Sequence, residues 1–163
     1  MIISEEYVVK KVVAFLKDKK NGNWRKFKIC KLKEHGPDIV AIGGLRNSEY
    51  FTIECKGKSY AKKSAKVIDK EGWLNALGQL IQRIDVSRYV KQRGTNSIST
   101  INRAYKYGLG LYWVGAQVAL RRIPKAVSQA LNLYIFAVND NGDVKPFTPS
   151  QFGKEYLDDI FLK

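Results

Sequence analysis

Three residues in the first third of the chain have the types and spacing that phosphodiester hydrolysis requires. They are Asp38, directly after Pro37, and the pair Glu54 and Lys56, one residue apart. Cutting a phosphodiester calls for charge neutralisation on the phosphate, an activated water and a stabilised leaving oxygen. Hard divalent cations held by carboxylates supply most of this, because they bind phosphate oxygens and acidify water. A lysine beside them can orient or deprotonate that water. The flanking segments are Gly36-Pro37-Asp38-Ile39-Val40 and Tyr50-Phe51-Thr52-Ile53-Glu54-Cys55-Lys56-Gly57-Lys58.

Two strands would position this set. Side chains alternate faces along a strand, so Phe51, Ile53 and Cys55 share one face, and Thr52, Glu54 and Lys56 the other. Antiparallel pairing of residues 50–56 with a strand over 38–42 sets Asp38, at the opening of one, beside Glu54, near the close of the other. Two carboxylates that meet there repel each other, and a cation between them relieves the repulsion. Each residue also has an ordinary explanation. Asp after Pro is common in turns, and Glu54 and Lys56 suit the solvated face of any strand. Only their convergence with Asp38 separates a site from a surface.

The remaining pattern reads as an α/β domain with a mixed sheet. Ser4 is a plausible N-cap for a helix over 4–19, with Val8, Val9, Val12, Val13 and Leu16 at helical spacing. Residues 24–33, 38–42 and 50–56 form a three-stranded antiparallel meander. The pattern predicts a second helix over 72–90, directing Leu74, Leu77, Ile81, Ile84 and Tyr89 to the core, then a polar loop over 91–103. A buried strand follows over 107–114, and a short helix over 123–131 with Pro124 near its first turn. Strands 133–138 and 144–147 flank the turn Asn139-Asp140-Asn141-Gly142-Asp143, and a short helix begins at Ser150. Neither a repeat nor a proline-rich linker divides the chain, so residues 1–163 are read as a single domain.

Pro37-Asp38 and Glu54-Cys55-Lys56, with fifteen residues between the two acids, resemble the PD-(D/E)XK nuclease superfamily, which includes many restriction enzymes and archaeal Holliday-junction resolvases. The resemblance implies a restriction-endonuclease-like core, a mixed central sheet flanked by helices. It implies that Asp38 and Glu54 ligate Mg²⁺ or Mn²⁺, that the Cys55 carbonyl adds a ligand, and that Lys56 positions the attacking water. Such families often carry an acid on the first helix that completes the metal shell. Glu5 or Glu6 fits, and Glu5 shares a face with Val9, Val12 and Leu16. A glutamine in the helix after the lysine motif is another recurrent feature, matched by Gln79; the bland reading of Gln79 is a polar interface residue. Some subfamilies place a tyrosine four residues later, where this chain has Arg83.

Charge points to the same partner. Lys plus Arg number 29 against 15 Asp plus Glu, a net +14 in 163 residues. Such a surplus favours a polyanion, because Lys and Arg on phosphates release condensed counterions. Lys58, Lys62, Lys63, Lys66 and Lys70 form either a solvated loop or an arm that follows the DNA backbone. Arg93 and Arg103, with Asn96 between them, are further candidate contacts. His35 reads as a turn residue beside the site, and Cys55 as a core-facing thiol. Two cysteines are too few for a disulfide framework or a thiolate zinc site. No apolar run spans a membrane, and the first residues lack the basic-then-apolar order of a secretory signal, so an intracellular location is expected. The expected activity is a Mg²⁺-dependent DNA endonuclease acting as a homodimer, since two strands need two cuts. The alternative from another class is a non-catalytic DNA-binding module on the same fold.

Overall fold

A computed structural model of the chain describes residues 3–22, 24–30, 36–43, 49–58, 65–84 and 105–153, with 65–70 described as backbone alone. The first helix, α1 (Glu5–Lys17), begins where the sequence signals it. The Ser4 hydroxyl accepts from the Tyr7 amide at 3.1 Å, and Glu5 and Glu6 occupy the first turn, where negative charge suits the helix dipole. Val8, Val9, Val12, Val13 and Leu16 form its buried stripe. Then come β1 (Trp24–Ile29), β2 (Ile39–Gly43) and β3 (Glu49–Lys56), the expected antiparallel meander. The helix α2 (Ala65–Gln82) leads to β4 (Tyr105–Tyr112), and α3 (Trp113–Arg122) and α4 (Lys125–Ala130) lead to β5 (Leu133–Val138) and β6 (Val144–Phe147).

All six strands form one sheet in the order β1-β2-β3-β4-β5-β6. The β3–β4 and β4–β5 pairs are parallel and the other three antiparallel, so the sheet is mixed, as expected. Its two faces bury separate cores. On one, α1 packs on Ile39, Ala41, Phe51, Ile53, Cys55, Phe136 and Val138. On the other, α2 and α3 cover Leu109, Leu111, Leu133, Ile135 and Ala137. Among the described residues, no helix is long and apolar enough to cross a membrane.

Two expectations need correction. The buried stripe of α2 is Trp73, Ala76 and Leu80, with Leu77 and Ile84 packed beside it, whereas Leu74 and Ile81 are 51% and 52% exposed. This helix is apolar on two sides, so periodicity alone leaves the choice of face open. The side with the small residues Gly72 and Ala76 faces the sheet; a Cβ on Gly72 would make ordinary contact with the Lys56 Cβ at 3.8 Å. The helix also starts and ends earlier than the expected 72–90. The second correction is α3, which follows β4 without a loop. Its first residues are Trp113 and Val114, which favour strands, and Tyr112 gives it no side-chain cap, so nothing local marks the change. Residues 31–35, with His35, 91–103, with Asn96, Tyr89 and the chain after 153 lie outside the described residues. At the start of the helix expected from Ser150, the described residues form a 3-10 turn at Pro149–Gln151.

Candidate active site

The site is assembled at the carboxyl end of β3. The register Ile39↔Ile53 sets Asp38, one residue before β2, opposite Glu54. Asp38 is fixed by its own backbone and side chain. Its carbonyl accepts from the Cys30 amide at 3.1 Å, and its Oδ2 accepts from the Cys55 amide at 2.6 Å. The carboxylate therefore continues the β2–β3 ladder and is tied to the residue that follows Glu54.

Glu54 is the buried acid, 3% exposed, and it faces α2 as strand alternation predicts. Burial, and then the neighbouring Asp38 carboxylate, push its pKa from 4.5 up to about 7, while Arg83 opposes the rise. Near neutral pH this side chain is poised between acid and carboxylate, with the Asp38 carboxylate as its like-charged neighbour. Arg83 Nε donates to Glu54 Oε1 at 3.4 Å, and Arg83 Nη2 donates to the Gly36 carbonyl at 3.2 Å. One guanidinium thus joins the end of α2, the buried acid and the loop before Asp38.

Lys56 extends on the same face as Glu54, and its Nζ donates to Glu5 Oε2 at 2.8 Å. A close backbone crossing brings these two together. The Lys58 amide donates to the Ile3 carbonyl at 2.7 Å, so the start of α1 lies across the end of β3. A Cβ on Gly57 would stand 2.5 Å from the Ile3 oxygen and the Ser4 carbonyl carbon. Only glycine permits that approach, and with it the arrival of Glu5 at Lys56. Glu6 instead pairs with Lys10 on the exposed side of α1. A small hollow beside Lys56 is lined by Gly57, Gly72, Trp73, Leu111, Tyr112 and Gly115.

The Cys55 thiol points the other way, into the α1 core, and burial and then Asp38 raise its pKa well above the usual thiol range. It is a neutral core group and not a nucleophile. Gln79 is exposed, one turn of α2 before Arg83; it makes no hydrogen bond to Asp38, Glu54 or Lys56. Lys58 is held over the Tyr112 ring at 5.0 Å, with Asp140 Oδ1 at 4.0 Å from its Nζ. Lys62, Lys63, Arg93 and Arg103 lie outside the described residues. Lys66 and Lys70 fall within α2, where backbone alone is described.

No protein-family model, curated protein or solved structure matches this chain.

The sequence therefore finds Asp38, Glu54, Lys56 and Glu5 as a cluster and misses Arg83. The available signal for Arg83 was its position, four residues after Gln79 and so on the same helix face. The donor chemistry suits a hard divalent cation. Two carboxylates meet in a partly buried space at a strain large enough to hold a proton near neutrality, and Mg²⁺ needs no more than one or two carboxylates, with waters filling the rest. Glu5 is turned to Lys56, and among the described residues no three His, Cys, Asp or Glu side chains converge as a metal-binding group.

Proposed function

We propose that the chain is a metal-dependent DNA endonuclease with a restriction-endonuclease-like core of the PD-(D/E)XK type. The observation that carries this reading is the convergence of Asp38 with buried Glu54, with Lys56 on the same face of β3. Asp38, Glu54 and the Cys55 carbonyl would hold Mg²⁺ or Mn²⁺, which supplies charge neutralisation at the phosphate and acidifies water. Lys56, as an ammonium, would hold the attacking water in line with the phosphorus by donating to its oxygen, and the proton the water loses would pass to solvent. Glu5 fixes the Lys56 ammonium through the 2.8 Å contact, and this is a different role from the metal ligand that the resemblance implies. Arg83 holds one oxygen of Glu54 and leaves the other toward Asp38. Cutting both strands of a duplex calls for two copies of the chain.

A second reading has its own support. Glu54 is paired with Arg83 and Glu5 with Lys56, so two of the three acids already have an internal cation. A DNA-binding module that uses these pairs only for structure would look the same. Incubation of supercoiled plasmid with the protein, with Mg²⁺, Mn²⁺ or EDTA, separates the two. The nuclease nicks or linearises plasmid with metal alone, and its Glu54→Gln variant does not. A wild type inert with every metal, yet bound to the plasmid, establishes the module instead.

A further inference from the structure

The edge strand β1 departs from regular alternation at one place. Trp24 pairs with Gly43, and Lys26 pairs with Ile42, so Arg25 is an extra residue and the register shifts there. In a regular strand Trp24, Lys26 and Lys28 would share a face. The bulge separates them. Trp24 turns into the α1 core, its ring 5.3 Å from that of Phe51. Lys26 and Lys28 point to the opposite face, the one that carries Glu54 and Lys56.

Cross-strand partners share a face, so two rows can be read from the register. One is Lys28–Val40–Thr52 and the next Lys26–Ile42–Tyr50. Val40 and Thr52 stand two residues from Asp38 and Glu54. The Lys28 row is therefore about 7 Å from the carboxylates and the Lys26 row about 14 Å, at 3.3–3.4 Å per residue. Lys26 and Lys28 are exposed, and Val40, Ile42, Tyr50 and Thr52 are half-buried. Among the described elements α2 packs on β3 and β4 and leaves this shelf open. Neither row contains an acid. Charged side chains on an edge strand commonly deter sheet-to-sheet pairing, but lysines on either face would serve that end. The bulge sends both to the carboxylate face, where they add positive charge along the sheet beside Asp38 and Glu54.

We propose that this shelf is a track for the DNA backbone, with Lys26 and Lys28 contacting phosphates adjacent to the one held at Asp38 and Glu54. The inference rests on the nuclease reading for the identity of the polyanion. Its test measures binding without cutting. Fluorescence anisotropy of a labelled DNA duplex in EDTA, over a range of KCl, gives the slope of log affinity against log salt. Each lost phosphate contact reduces the slope by about 0.9. Lys26→Gln with Lys28→Gln should therefore lower it by about 2 and weaken binding at every salt concentration. The control Lys10→Gln with Lys125→Gln removes equal charge from other surfaces and should leave the slope near the wild-type value.

An unchanged slope in the Lys26/Lys28 variant, or an equal fall in the control, overturns the track. So does a wild type that binds no DNA, or one that prefers an RNA duplex of the same sequence. The nuclease reading fails separately: a wild type that shows the Lys26/Lys28 dependence but never cuts keeps the track and loses the enzyme.

Discussion

Glu54 and its neighbours Ile53 and Cys55 are buried on opposite sides of β3 and do opposite work. Toward α1, Phe51, Ile53 and Cys55 are 3%, 0% and 0% exposed and join an apolar cluster with Val8, Val12, Ile39 and Phe136. Toward α2, Glu54 is also 3% exposed, but its neighbours are Asp38 and Arg83. Burial is thus not what distinguishes Glu54 from Ile53 and Cys55. Removing Ile53 from water stabilises the fold by about 1.5–3 kcal/mol, whereas removing Glu54 from water beside a like charge opposes folding. The α1 face supplies the stability that lets the α2 face keep a strained acid in place. Perturbed acids of this kind mark functional sites.

The sharpest separation of the faces comes from removing the charge without the volume. Asp38→Asn or Glu54→Gln should lower cleavage by about 10³-fold or more, since a metal's charge stabilisation is worth several kcal/mol. The same variants should bind DNA as well as wild type or better, as measured by anisotropy in EDTA. Binding lost together with cutting would show that these side chains shape the fold and not the reaction. On the other face, Ile53→Ala should cost about 2–5 kcal/mol in urea unfolding and leave cleavage per folded molecule near wild type. If both faces lost activity and stability in parallel, the division would be wrong.

Titration sets the comparison on a pH axis. Glu54 has a pKa of about 7 in the folded chain against 4.5 as the reference. Between those values the native state binds more protons than the unfolded chain, so stability falls as pH rises through this window and levels off above 7. The loss attributable to Glu54 is on the order of 3 kcal/mol. Urea melts of wild type and Glu54→Gln from pH 4.5 to 8 should diverge by this amount, with the variant more stable at the alkaline end. A constant difference across the range would mean that Glu54 is not strained in the fold. Mg²⁺ at pH 8 should narrow the gap, because a ligand that binds the native state stabilises it.

Much of this arrangement was legible in the sequence because strand alternation is a local rule. It assigns Glu54 and Lys56 to one face and Cys55 to the other without any knowledge of the tertiary structure. The Asp38–Glu54 meeting followed from one further step, an antiparallel pairing that the short connection favours. The contact of Glu5 with Lys56 was less accessible, since it depends on Gly57 letting the start of α1 cross β3. The buried stripe of α2 was misjudged by one position, Trp73 for Leu74 and Leu80 for Ile81, because both sides of that helix are apolar. That error also concealed Arg83, which belongs to the sheet-facing side. The bulge at Arg25 leaves no local signal, because Trp24-Arg25-Lys26 reads as ordinary alternation until Gly43 and Ile42 are known as partners.

Arg83 gives the smallest expected effect and the finest test of how the α2 face works. Its Nε contacts Glu54 Oε1 and its Nη2 the Gly36 carbonyl, so it braces the acid and the loop before Asp38 together. As a positioning residue it should favour a cation between the carboxylates, because bracing partners of metal ligands typically contribute 10–100-fold in affinity. Calorimetric titration of the DNA-free protein with Mn²⁺ should then show Arg83→Gln weakened by about that factor. Arg83→Lys should recover only part of it, keeping the charge but losing the planar fork that reaches two acceptors. A tighter Mn²⁺ site in Arg83→Gln would reverse the assignment. The guanidinium would then be the cation that Glu54 ordinarily holds, in competition with metal. The buried acid would belong, like Ile53 behind it, to the fold alone.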